Sequence, residues 1–381
     1  MKKICIVCEA NPIKCPRPKR LIGVLKDKFM LSVIGRDIQE TQIGGVQEIF
    51  SYAIPPKRNA EQEEQLYQNI ANKDYLKLVH IPTRIKIAEA LCAREFDVIF
   101  CHDLVLLPIV LENKKNAKVI FDAREYYPRE LEDDERWKRL FMGFNDWLCQ
   151  TYLPQADYVY TVNQGIADEY AKNYGIKCDV ITSAAYYFAS PPNLFAKDSQ
   201  DIKLLYHGMA SPERGIETMI ETMDYVDSRF TLDLMLVATF HGDYFQKLQT
   251  MVERRKNVRI LPPVLFEEII PFSSSYDIGF YILQPKNYNG LYALPNKFFE
   301  FIQARLAIAI SPNPEMARLV KQYNLGIVSQ DFTPKSMAES LNSLTKEQIR
   351  QYKENANQTA KILNAEREGE KILCILEEIA R

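Results

Sequence analysis

The chain has 381 residues, 47% hydrophobic and 26% charged, with a formal net charge of −2, a length that suits two domains of ordinary size, each burying its own core. The near-zero charge gives no support for general nucleic-acid binding, and no apolar run approaches the ~20 residues needed to span a bilayer. Eight cysteines (Cys5, Cys8, Cys15, Cys92, Cys101, Cys149, Cys178 and Cys374) are scattered along the chain, and no second Cys or His pair joins Cys5 and Cys8 in a zinc pattern, so they read as reduced thiols of a cytosolic protein.

The chain opens with Met-Lys-Lys-Ile-Cys-Ile-Val-Cys, a run that Glu9 ends. It is too short for a secretory signal and reads as a first buried strand. Further strands are predicted at residues 31–35, 46–52, 98–101, 118–122, 158–161 and 179–181, with helical patterns between most of them. Such alternation predicts a parallel sheet covered by helices on both faces. The loop after the first strand is basic, with Lys14, Arg17, Lys19 and Arg20, and Lys26 and Lys28 follow. His102 and Asp103 fall at the carboxyl end of the 98–101 strand, and Asp122-Ala-Arg124-Glu125 closes the 118–122 strand. Ligands of open α/β sheets bind at such ends. His102 there either relays a proton and holds a hydroxyl, or is bonded within a tight junction with Asp103 as the N-cap of the next helix. Trp137, Leu140, Phe141, Phe144, Trp147 and Leu148 recur at helical spacing. That stripe serves a core face, or a shallow membrane-docking face flanked by Arg136, Lys138 and Arg139.

Residues 183–201 break the pattern with a double Pro and a polar tail, and 186–201 reads as a linker between domains at 1–185 and 202–345. Strands resume at 202–207, 231–238, 258–261, 278–281, 307–310 and 326–328. The closing segment, 346–381, is helical in pattern, rich in Glu and Lys, and a candidate to pack back on the first domain. The expected class is α/β, with two Rossmann-like domains and a long C-terminal helix. No Gly-X-Gly occurs, so the dinucleotide fingerprint of nicotinamide and flavin oxidoreductases is missing.

The most informative segment is Tyr292-Ala-Leu-Pro295-Asn296-Lys297-Phe-Phe-Glu300-Phe. A helix opens at Pro295-Asn296-Lys297, and its N-terminus suits a phosphate. Glu300, one turn deeper, can accept hydrogen bonds from a ribose diol. The competing reading is an ordinary αβα unit with a solvated Glu and a solvated Lys. Upstream, Gly208-Met209-Ala-Ser-Pro-Glu-Arg214-Gly215 follows a predicted strand. Arg214 at a helix start needs an anion nearby, and its planar fork matches phosphate oxygens.

These motifs resemble family 4 glycosyltransferases of the GT-B fold, in the subgroup that reads Leu-Pro-Asn-Lys-hydrophobic-hydrophobic-Glu, and the resemblance extends over nearly the whole chain. It implies two Rossmann-like domains facing across a cleft. In the donor half it implies that Gly208 and Arg214 meet the diphosphate, with Met209 where the family usually carries a second cation. Glu300 matches the second carboxylate of the family's Glu, seven residues, Glu signature, the one that holds the ribose. Tyr292 replaces the first, and the polar, aromatic loop of Tyr288, Asn289, Gly290 and Tyr292 either reads the sugar or is a surface turn. The backbone around Val264 and Leu265 would meet the nucleobase. In the other half the resemblance implies that Arg17, Arg20 and Asp103 face the acceptor, and that His102, Arg124 and Glu125 lie near the reacting centre. Arg124 stands where the family commonly has His. An Arg cannot act as a general base, but it can stabilise a leaving phosphate.

The expected function is a retaining, metal-independent glycosyltransferase moving a sugar from a nucleotide-diphospho-sugar to a hydroxyl of a glycan or polyprenyl-linked acceptor. The expected setting is cell-surface polysaccharide, lipopolysaccharide or capsule assembly, in the cytoplasm and at the inner face of the membrane, with peripheral contact to it. No cofactor is expected beyond the donor substrate, and no Asp-X-Asp triplet suggests a metal clamp. Two alternatives of the same fold are a nucleotide-sugar 2-epimerase and a non-catalytic partner that binds glycan or nucleotide sugar. Met209, Tyr292 and Arg124 favour the non-catalytic partner.

Overall fold

A computed structural model describes residues 1–39, 43–193, 201–238 and 242–379. Part of the predicted linker, residues 194–200, lies outside the described residues. The chain forms two compact units. One comprises Met1–Thr182 with Asn287–Asn289 and Gly369–Arg381, the other Ser183–Lys286 with Gly290–Glu368.

The first unit holds seven strands: β1 (Lys3–Val7), β2 (Met30–Arg36), β3 (Val46–Tyr52), β4 (Val98–Cys101), β5 (Lys118–Ala123), β6 (Tyr158–Thr161) and β7 (Asp179–Val180). They form one sheet in the order β3-β2-β1-β4-β5-β6-β7, and every pairing is parallel. The second unit holds β8 (Ile202–Met209), β9 (Phe230–Val237), β10 (Val258–Leu261), β11 (Ile278–Tyr281), β12 (Ala307–Ile310) and β13 (Gly326–Val328). Their order, β10-β9-β8-β11-β12-β13, repeats the same pattern, again parallel throughout. Val-Ile-Phe-Cys of β4, Ile-Gly-Phe-Tyr of β11 and Ala-Ile-Ala-Ile of β12 are buried at every position. Strands covered on both faces read this way, as continuous apolar runs rather than alternation.

In each sheet the order reverses at a central strand: β1 lies between β2 and β4, and β8 between β9 and β11. The connections leave in opposite directions there, so the carboxyl ends of β1 and β8 open a crevice in each unit.

The core of the first unit takes in Ile372, Ile375 and Leu376 of the last helix, Ala365–Ile379. Gly369 of that helix lies so close to Val24 that a Cβ there would meet its Cγ2 at 2.7 Å. The closing stretch is two helices, Lys346–Thr359 and Ala365–Ile379. Asn364 separates them because its side chain accepts the Arg367 N–H at 2.9 Å and starts the second. The aromatic stripe is a core face. Leu140, Phe144 and Leu148 are buried, and Trp147 packs on Tyr75, Phe144 and Tyr152 with ring centroids 5.3, 6.2 and 5.5 Å away.

In the second unit, Gly279 of β11 makes room for Phe301, since a Cβ there would fall 2.3 Å from Phe301 Cγ. Gly279→Ala is expected to destabilise this unit by about 1–3 kcal/mol through overpacking, read as a lower urea midpoint. An unchanged midpoint would show that the Phe301 ring gives way freely.

Candidate functional site

The crevice at β8 is built around a buried lysine. β8 ends Tyr206-His207-Gly208-Met209, and Gly208 has φ 145°, a backbone that favours glycine. The helix Asn296–Gln303 packs beside it and buries Phe298, Phe299, Phe301 and Ile302 completely. That packing points Lys297, in its first turn, inward. Lys297 is only 8% exposed. Its Nζ sits 3.9 Å from the Tyr206 ring centroid and 4.3 Å from that of Tyr281, and 3.1 Å from where a Gly208 Cβ would be. Burial pushes its pKa well below the ordinary lysine range, and the charge of Arg214 adds to that push, while Glu300 opposes it.

Arg214 ends the 3-10 turn Pro212–Arg214, ahead of Gly215 in the left-handed region (φ 58°). It lies beside the same two phenols as Lys297, close enough to affect both. The Tyr281 hydroxyl is buried beside Arg214, and the hydroxyl of Tyr206 and Nε2 of His207 are buried without a hydrogen-bond partner. Such groups are rare in folded proteins and each costs about 1–3 kcal/mol. His207 Nε2 is 3.5 Å from Glu300 Oε2, and its ring meets Phe301 edge-on at 5.3 Å. Burial, then the Lys297 charge, holds the His207 pKa down to about 3, so the imidazole is neutral.

Glu300 is 6% exposed. A solvated Glu300 and a solvated Lys297, the ordinary-unit reading, are therefore both wrong. Pro295 occupies the N-cap position and makes no side-chain cap bond. Met209 is exposed, Tyr292 half-buried, Val264 half-buried against the core, and Leu265 exposed. Tyr206, His207 and Tyr281 escaped sequence reasoning. Their one signal was position, at the carboxyl ends of two strands that the reversal places side by side.

The loop of Tyr288 and Asn289 is not a surface turn. Asn287–Asn289 belongs to the first unit, where Asn289 Oδ1 accepts the Tyr126 N–H at 2.7 Å. Tyr288 is buried there against Tyr126, with Arg129 over its ring at 4.8 Å.

In the first unit the crevice at β1 is lined by ion pairs. Asp122, fully buried at the end of β5, receives Arg17 Nε at 2.9 and 2.6 Å on its two oxygens. Arg17 Nη1 donates to the Ile181 carbonyl at 2.8 Å. His102 Nδ1 lies 2.9 Å from Asp122 Oδ2. Burial alone would raise the Asp122 carboxyl; Arg17 and His102 overcome it and hold the pKa at about 2. Arg17 is thus engaged inside the unit. Arg20, on the same helix, Pro16–Leu25, is half-buried.

Asp103 does not cap the turn that follows it. Its Oδ2 accepts the Glu9 N–H at 2.6 Å and its Oδ1 accepts from Arg124 Nη2 at 3.0 Å. The N-cap reading fails because the ends of β1 and β5 compete for the carboxylate. Glu125 is half-buried, with its carbonyl accepting the Tyr170 hydroxyl at 2.8 Å. The structure thus brings His102, Arg17 and Asp122 together, and separately Asp103 and Arg124. Asp122 was not singled out from sequence as a site residue, although it closes a predicted strand at the end where ligands bind.

Among the described residues, no group of three or more His, Cys, Asp or Glu is placed to hold a metal ion. No helix there is long and apolar enough to cross a membrane. All eight cysteines are free.

No protein-family model matches the chain, and no curated protein matches it by sequence. Solved structures do match by shape. A glycosyltransferase from Rickettsia africae aligns with a TM-score of 0.71 at 13% identity, covering 100% of this chain and 99% of that one. HepE from Anabaena, in complex with UDP, aligns with a TM-score of 0.70 at 12% identity over 99% and 100% of the two chains. An alpha,alpha-trehalose-phosphate synthase (UDP-forming) from Burkholderia vietnamiensis gives 0.67 at 11% identity over 99% and 100%. At these identities the likeness carries the architecture alone: the two Rossmann-like units of this chain have the GT-B fold.

Proposed function

We propose that this protein is a glycosyltransferase that binds a nucleotide-diphospho-sugar in the crevice at β8. The observation that carries this reading is the pair of basic side chains there, Arg214 and the buried Lys297, with Lys297 in the first turn of its helix. A buried amine with one carboxylate and one guanidinium for company is poorly satisfied until an anion arrives. A diphosphate supplies it. Lys297, whose Nζ lies against Gly208, provides the second basic group that Met209 does not. The hydroxyls of Tyr206 and Tyr281 can donate to phosphate oxygens, and Glu300 and Tyr292 are proposed toward ribose and sugar. Support also comes from HepE, whose shape this chain shares and which has been solved with UDP and with UDP-glucose.

The proposed reaction transfers the sugar to an acceptor hydroxyl. The bond from the anomeric carbon to the diphosphate breaks, the bond to the acceptor oxygen forms, and the acceptor proton leaves with the nucleoside diphosphate. Arg214 and Lys297 would stabilise the charge growing on that leaving group. Retention at the anomeric carbon, independence of metal, and a glycan or polyprenyl-linked acceptor in cell-surface polysaccharide assembly at the inner face of a membrane are part of the same proposal. On the first unit, Arg124 and Arg20 are proposed to meet an anionic acceptor, with Glu125 orienting its hydroxyl. The buried His102–Asp122–Arg17 cluster would hold that surface in place.

A thermal-shift panel of UDP-, GDP-, dTDP- and CMP-sugars, with and without EDTA, tests the donor reading. A ligand at ~100 times its dissociation constant adds ~2.7 kcal/mol of stability. The expected result is one nucleotide class raising the melting temperature whether or not EDTA is present. No shift from any of them would contradict the reading.

A further inference from the structure

We propose that the second unit takes up one proton, at Lys297 Nζ, each time it binds the diphosphate of a nucleotide sugar. The inference rests on the donor reading of the β8 crevice and adds a coupling that this reading does not require.

The argument begins with what surrounds the amine. On its own helix it faces Glu300. From β8 come Tyr206 and His207, from β11 Tyr281, and from the turn before Gly215 comes Arg214, with Glu213 beside it. Tyr244 stands behind Tyr206. Glu300 is the carboxylate that favours a charged Lys297, and it also lies against His207. Arg214 opposes that charge and has Glu213 beside it. A guanidinium does not give up its proton in proteins, so any release of charge falls to the amine. Burial and Arg214 both drive it that way.

The phenol faces hold an ammonium weakly by comparison with phosphate oxygens. Gly208, with no side chain, lets the backbone at the end of β8 lie close to Nζ, 3.1 Å from where a Cβ would be. A nucleotide-sugar diphosphate carries about two negative charges and does not titrate near neutral pH. Placed at Arg214 and Nζ, it reverses the balance and favours the ammonium. The proton comes from solvent on binding and returns when the nucleotide leaves. His207, whose Nε2 is buried without a partner, and the Glu300 carboxylate are the other groups in the crevice able to accept a proton, so the test must separate both from the amine.

Titration calorimetry with UDP-glucose, UDP-N-acetylglucosamine and GDP-mannose, at pH 8 in HEPES and in Tris, reads the proton directly. The slope of observed heat against buffer ionisation heat is expected to show about one proton taken up per site. Linkage of one proton makes the affinity fall roughly tenfold per pH unit on the alkaline side. His207→Gln should keep the uptake. Lys297→Met, close in volume and without an amine, should lose it and bind more weakly. Binding with no proton uptake in the wild type, or uptake that persists in Lys297→Met, overturns the inference and leaves the donor reading intact. No heat from any probe overturns both.

Discussion

Asp122→Ala is expected to destabilise the first unit by about 3–5 kcal/mol, the usual consequence of removing one partner from a buried ion pair. Asp122 is fully buried at the end of β5 and takes the Arg17 Nε on both oxygens. Its loss takes the carboxylate away from a guanidinium that also meets the Ile181 carbonyl and the Tyr160 ring, 5.2 Å away, and leaves His102 without the carboxylate 2.9 Å from its Nδ1. Urea denaturation of the variant reads the effect as a lower midpoint at unchanged slope. Asp122→Asn should fall between the two, since it keeps an acceptor for Arg17 but not the charge. The same carboxylate gives an acid dependence of known sign. Its folded pKa of about 2 lies below the ordinary 3.8, so its stabilisation is present above pH 4 and is lost as pH falls through 2. The amount is roughly 2 kcal/mol. The Asp122→Ala variant should lack that component. If its stability matched the wild type at pH 7, the cluster would hold nothing together.

Arg214→Ala is expected to weaken nucleotide-sugar binding by about 10- to 100-fold, because hydrogen bonds between charged groups are worth about 1.5–3 kcal/mol each. Arg214 projects from a short turn into a crevice that already holds Lys297, Tyr206 and Tyr281. Removing it eases the repulsion on Lys297 but takes away the one cation that keeps its charge whatever the pH. Arg214→Lys should recover part of the affinity, as a point charge without the planar fork. Glu300→Ala should also weaken binding, and Glu300→Gln less so if its role is to accept ribose hydroxyls. Titration calorimetry with the nucleotide sugar found in the thermal-shift panel measures each variant. Unchanged affinity in both Arg214→Ala and Glu300→Ala would falsify the assignment of this crevice as the donor site.

Much of this architecture was legible in the sequence because buried parallel strands announce themselves. The runs at 98–101, 278–281 and 307–310 are short, apolar throughout and bounded by turns, and they are strands in the structure with those limits. Arg214, Lys297 and Glu300 were expected together from the resemblance of their motifs, and the structure gathers them in one crevice. The first unit was harder to read. Arg17 and Asp122 stand far apart in the chain, and nothing local says that their charges meet. Asp103 looked like a cap from its place before a helical turn, yet the Glu9 amide and Arg124 take its oxygens. Tyr288 and Asn289 lie within the second unit's stretch of sequence but belong to the first unit. Sheet order and side-chain partners of this kind are set by tertiary contacts, which local pattern does not encode.

A crystal structure of the protein with its preferred nucleotide sugar would test the central claim most directly. The account predicts the diphosphate at the carboxyl end of β8, within hydrogen-bond reach of Arg214 and Lys297 Nζ and against the helix start at Asn296. A nucleotide bound elsewhere, with Lys297 still enclosed by Tyr206 and Tyr281 and touching no phosphate, would contradict it.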